Sequence, residues 1–149
     1  MIKKNIIIIS LILFLNSCGF TPIYLKKNDI KFSIEQVNYS GDRDLNNFLK
    51  INLDQYKNEK IDNKISIDAK STYKKIILSK DGTGEVTNYQ LEAEVIFLIK
   101  SNNKEIKITE RKIIDSMSDK FEEARYERSM KQNFASSITN KLISELIIN

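Results

Sequence analysis

The sequence predicts an α+β fold: a two-layer sandwich in which two helices pack on one face of a four-stranded sheet, in the order β-α-β-β-β-α. Three observations carry this. The apolar period switches from two to a helical spacing and back to two within the first half of the chain. Three successive period-two runs are then separated by short turn segments, which is the pattern of an antiparallel meander. The last thirty or so residues repeat an apolar side chain every four positions, with no glycine or proline to interrupt them.

Taken in order, Ile30, Phe32 and Ile34 alternate with Lys31 and Ser33, a strand with one buried face. The alternation shifts at Val37 and Tyr39, where the strand ends or bulges. Leu45, Phe48, Leu49, Leu53 and Tyr56 fall on one helical stripe and predict a helix over 43–58, with Ser40, Asp42 and Asp44 as cap candidates. Ile65, Ile67, Ala69, Tyr73 and Ile77 share one face of the next strand, over 64–78. "SKDGTGE" is turn chemistry. From Glu85 onward, Tyr89, Leu91, Ala93, Val95, Phe97 and Ile99 line one face and Asn88, Gln90, Glu92 and Glu94 the other. That second face turns apolar at Ile96 and Leu98, which calls for a cover there. After the turn "KSNNKE", Ile106 and Ile108 followed by Ile113 and Met117 predict a fourth strand with a parity slip, and hence a bulge, near Glu110–Lys112. Asp119 with Glu122 reads as a capping box opening the last helix. Its stripe is Tyr126, Met130, Phe134, Ile138, Leu142 and Leu146, widened by Ala135, Ile143 and Ile147. The sheet face left by the helices is mixed in character and open to a partner.

The start of the chain has a different logic. Lys3 and Lys4 precede an apolar run, Ile6–Leu15, interrupted only by Ser10. As a helix this run rises about 15 Å, half of a ~30 Å bilayer core, so it fits the h-region of a secretory signal better than a transmembrane span. It ends in Leu15-Asn16-Ser17-Cys18, which resembles a bacterial lipobox, with Asn16 where small or β-branched residues are commoner. Cys18 is the only cysteine in the chain and has no intramolecular disulfide partner. The expected organisation is a lipoprotein signal peptide over 1–17, a lipidated tether over 18–29, and one α+β domain over 30–149. The lipids expected on Cys18 are a thioether-linked diacylglycerol and an N-acyl chain, and no other cofactor is expected. Gly19, rather than aspartate, follows the cysteine, which favours delivery to the outer membrane, with the domain on its periplasmic side.

Composition narrows the function classes. The 149 residues carry a formal charge of +4. Loss of residues 1–17 leaves 132, with 22 basic and 20 acidic side chains, so the charge is too even to argue for nucleic acid. Nor do aromatics interleave with the cations as on a single-strand binding platform. The chain has no histidine, which removes the usual base of a serine or cysteine triad and the commonest zinc ligand. Ser71 with Lys74 and Ser101 with Lys104 have the spacing of a serine–lysine pair, but they lie on a strand and in a turn, where that spacing does not bring the two together. No catalytic role and no metal site are expected. Asp81-Gly82-Thr83-Gly84 has the look of a phosphate nest or calcium loop, yet it opens no helix, and a hairpin tip accounts for it. Glu122, Glu123 and Glu127 near Arg125, Arg128 and Lys131 read as solvated ion pairs along one helix. Lys74, Lys75, Arg111 and Lys112 belong to a set of cations on the meander strands. Beside an apolar surface they would suit a phosphorylated lipid, with an ordinary solvated sheet face as the alternative.

"CGFTPIY" over Cys18–Tyr24 and "GTGEVTNYQLEAEVIFLI" over Gly82–Ile99, followed by a fourth strand and a helix with Glu127, resemble the LPS-assembly lipoprotein LptE family. That resemblance spans most of the mature chain. It implies a non-enzymatic outer-membrane lipoprotein that plugs the lumen of the lipopolysaccharide translocon β-barrel, helps it assemble, and binds lipopolysaccharide. Lys74, Lys75, Arg111 and Lys112, picked by their chemistry and not by alignment to the family, are the candidate lipopolysaccharide contacts, and the hairpin Asp81, Gly82, Thr83 and Gly84 is the candidate barrel contact. The alternative is a periplasmic adaptor or pilot lipoprotein of another secretion or pilus machine.

Overall fold

A computed structural model describes residues 30–148. The signal peptide, Cys18 and the tether lie outside the described residues. The elements are β1 (Ser33–Gly41), α1 (Arg43–Asp54), β2 (Lys64–Lys80), β3 (Val86–Ile99), β4 (Lys104–Asp115) and α2 (Lys120–Ile148). They form the expected β-α-β-β-β-α fold. The sheet runs β1-β2-β3-β4. β2, β3 and β4 make the antiparallel meander, and β1 pairs with β2 in parallel, because α1 carries the chain back to the end of the sheet where β1 began.

The parity change in β1 is resolved by a bulge. The register with β2 jumps between Ile34 and Gln36, so Ile34 and then Val37 and Tyr39 all reach the core side. Gly41 closes β1 with φ +96° and lies so close to Ser71 of β2 that a Cβ there would sit 1.8 Å from the Ser71 carbonyl oxygen. Asp42 then caps α1, its carboxylate accepting from Leu45 N at 2.8 Å. Leu45, Leu49 and Leu53 are its buried stripe. The helix ends at Asp54, four residues short of the expected 58. Tyr56 N and Lys57 N instead donate to the carbonyls three residues back, and the Tyr56 carbonyl accepts from Ile34 N at 3.2 Å. Tying that carbonyl to β1 stops the helix while the Tyr56 ring still packs on the core.

The fourth strand departs from expectation. Its pairing with β3 is unbroken from Asn88↔Asp115 to Ile99↔Lys104, so there is no bulge at Glu110–Lys112. Strict alternation sends Ile106, Ile108 and Ile114 to the helices. Ile114 is 5% exposed and Ile113 is 60% exposed, and Met117 lies beyond the strand. Alternation also turns Glu110 toward the helices. It is accepted there because Ser137 Oγ and Lys141 Nζ of α2 meet it at 2.7 and 2.6 Å.

The start of α2 shows a related shift. Asp119 accepts from Phe121 N and Glu122 N. The reciprocal contact comes not from Glu122, which pairs with Arg125 in solvent, but from Glu123, which accepts from Met117 N at 2.9 Å. Both helices lie on one face of the sheet, and one apolar cluster joins them to all four strands.

Candidate functional site

Cross-strand register divides the four candidate lipid-binding cations. Lys74, Glu92 and Arg111 stand in one row on the open face, whereas Lys75, Leu91 and Lys112 form the next row on the helix side. The four therefore do not converge on one ligand. Arg111 Nε donates to Glu92, and Lys107 Nζ lies 2.9 Å from Glu94, a hydrogen bond that holds the Glu94 carboxyl below its ordinary range. The acidic centre of the open face thus pairs with Lys107 and Arg111, the two β4 cations on that face. Ile96 and Leu98 are half-buried on this face without any described element above them. Ile96 stands between Lys70 and Lys107 in the register, and Leu98 between Asp68 and Glu105.

The hairpin tip is closed on itself. Asp81 Oδ1 accepts from Thr83 N, Thr83 Oγ1 and Glu85 N at 2.9, 2.6 and 3.0 Å. Gly84, at φ +90°, donates to the Asp81 carbonyl. The hydroxyl of Thr83, followed by the backbone donors, holds the Asp81 carboxyl below its usual range. The amides that would cradle a phosphate in a nest already face a carboxylate. Ser71 is equally committed: its Oγ is 3.3 Å from both the Ser40 and Asp42 carbonyls, so it ties β2 to the β1–α1 corner.

Two features go beyond the sequence reading. The first is apolar exposure at the hairpin end of the sheet: Ile76, Ile77 and Leu78 on β2, Ile113 on β4 and Phe121 at the start of α2. Ile76 and Ile113 flank Gln90 on the open face. The expected core residue Ile77 is 51% exposed, because β2 runs past the start of α2 and nothing described covers it there.

The second is a polar seam between α2 and β2. Lys75 Nζ donates to Glu123 Oε1 at 2.8 Å and Glu127 Oε2 at 3.2 Å, and lies 4.4 Å from the Tyr89 ring centre. Lys131 Nζ reaches Asp42 at 3.2 Å and Asp44 at 3.7 Å, and sits 4.3 Å from the Tyr73 ring centre. Glu123 is buried; hydrogen bonds from Lys75 and then from Met117 N push its pKa down to about 2. The Tyr73 hydroxyl is buried without a well-formed hydrogen bond. Burial, then the charge of Glu127, pushes its ionisation up. Glu123, Glu127 and Lys131 are therefore not the solvated pairs that their spacing suggested. They join α2 to β2 and to the cap of α1.

No protein-family model and no curated protein sequence matches the chain. Solved structures do match. Rare lipoprotein B from Shewanella oneidensis superposes with a TM-score of 0.53 at 17% identity, over 76% of this chain and 97% of that one. A minor lipoprotein from Acinetobacter baumannii gives 0.51 at 16% identity, over 74% and 93%. Lipoprotein B from Nitrosomonas europaea gives 0.51 at 16%, over 76% and 83%. At these identities the likeness is one of backbone architecture, and this chain shares the fold of those three lipoproteins.

Proposed function

We propose that the chain is a non-enzymatic, lipid-anchored protein of the outer membrane, facing the periplasm, that plugs and helps assemble the lipopolysaccharide translocon β-barrel. The observation that carries the reading is a coincidence of two independent features. A lone cysteine stands directly behind an export-type apolar run, and the domain that follows has the fold of proteins that are themselves lipoproteins. The surface is compatible with a plug, since barrel interiors are polar and the open face carries internally paired charges rather than a continuous apolar sheet. For direct contact with lipopolysaccharide, Lys74 and Arg111 are the candidates that share the open face. Lys75 already serves Glu123 and Glu127.

The test is a mild-detergent purification of the C-terminally tagged full-length chain with mass spectrometry of what accompanies it, beside a Cys18→Ala control. One large translocon-type barrel in about equal amount is the expected outcome. A secretin or pilus component in its place would transfer the protein to the adaptor reading, and no envelope partner at all would overturn both.

A further inference from the structure

α2 is held to the rest of the molecule by two different kinds of contact. From Phe134 to Ile143 it buries Phe134, Ala135, Ile138, Thr139, Leu142 and Ile143. From Lys120 to Lys131 its only fully buried side chain is a carboxylate, that of Glu123. The inward stripe of this first stretch is Glu123, Tyr126, Glu127, Met130 and Lys131. Only Tyr126 and Met130 give it apolar contact with the core, and both are partly exposed.

Beyond the hydrogen bond from Met117 N to Glu123, the side-chain ties that hold it to the sheet and to α1 are ionic or cation–π. Glu123 and Glu127 share Lys75, Lys131 meets Asp42 and Asp44, and Arg128 stands 5.9 Å from the Phe48 ring centre. Lys120 Nζ also reaches Glu123, at 3.1 Å, but from within the same stretch. Local opening is cheapest where buried apolar contacts are few, and an ion pair that loses one member leaves the other charge uncompensated.

We propose that residues 120–131 form an electrostatically latched strap that opens independently of the rest of α2, with Lys75 as the latch. No glycine or proline provides a hinge, so the strap opens by unwinding from its N-terminus as far as the exposed Gln132–Asn133 pair. Opening frees Lys75 and uncovers the rings of Tyr73 and Tyr89. The proposal is independent of which envelope partner the chain serves.

Hydrogen exchange read by mass spectrometry on the full-length chain tests it. In the unmodified protein, amides 124–131 should exchange faster than amides 135–143. Lys75→Met, which keeps the length of the side chain and removes the charge, should speed exchange at 124–131 by about tenfold or more and leave 135–143 within about twofold. Glu123→Gln keeps the shape of its side chain and should move the same amides in the same direction, which covers the case in which Lys75→Met does not fold. Equal acceleration of both stretches would mean that α2 opens as one unit and would overturn the proposal. So would no acceleration of either stretch in the variants.

Discussion

At Gly41 two constraints coincide. Its φ of +96° lies where L side chains are rarely found, and a Cβ would be driven into the Ser71 carbonyl of the neighbouring strand. Gly41→Ala should therefore lower stability by about 3 kcal/mol in urea denaturation, with the midpoint falling and the slope unchanged. Gly82→Ala meets open space and should stay within about 0.5 kcal/mol; equal losses in the two variants would refute the assignment. Glu123 supplies a second residue-level outcome. Its folded pKa, about 2, lies below the ordinary 4.5, so its contribution to stability is fully present above pH 4.5 and is lost as pH falls through about 2. In Glu123→Gln that part of the acid slope should vanish. Thermal midpoints of the two proteins across this range would show it, and parallel curves would sink the claim. None of this was legible in the local sequence. Glu123 has the same helical spacing to its charged neighbours as a surface pair, and the residue that distinguishes it, Lys75, lies 48 positions earlier on another element.

Among the elements, the strands were the most legible and their irregularities the least. β3 was readable along its whole length because all its core positions from Leu91 to Ile99 are apolar and buried. β1 and β4 each show an apparent parity slip, yet only β1 has a bulge. The difference lies in what the other layer offers. On β4, Ser137 and Lys141 of α2 satisfy an inward Glu110, so the strand keeps its register and leaves Ile113 in solvent. Periodicity cannot anticipate a polar core-side residue whose partners lie well inside the following helix, Ser137 being 27 positions later. The correction has a direct check. Ile114→Ala should cost about 2–4 kcal/mol and Ile113→Ala no more than about 0.5; the reverse order would restore the bulge. α1 ends earlier than its apolar spacing predicts for a similar reason. Tyr56 keeps the apolar spacing of the helix, but its carbonyl is taken by Ile34 of β1.

On the scale of the whole molecule, the parallel pairing of β1 with β2 decides which end of the sandwich the preceding chain enters. Ser33 pairs with Lys64 at the end where β3 finishes and β4 begins. The Asp81–Glu85 turn, the exposed Ile76–Leu78 stretch and the start of α2 lie at the other end. β2 alone, at 17 residues, spans about 55 Å. The chain that precedes β1 therefore enters the domain far from its exposed apolar end, and among the described residues the core cluster begins at Phe32, with Ile30 packed against it. Anchor and fold should accordingly be separable. Replacing residues 1–18 by a cleavable export signal that leaves no cysteine should move the protein from the membrane pellet to the soluble fraction while leaving its circular dichroism spectrum and urea midpoint unchanged, because the role proposed for a lipid on Cys18 is attachment rather than packing. If the variant stays in the pellet, the exposed Ile76, Ile77, Leu78 and Phe121 become the membrane-seeking surface and Cys18 loses its assigned role. If it leaves the pellet but unfolds, the lipidated segment is part of the core and the domain does not begin at residue 30.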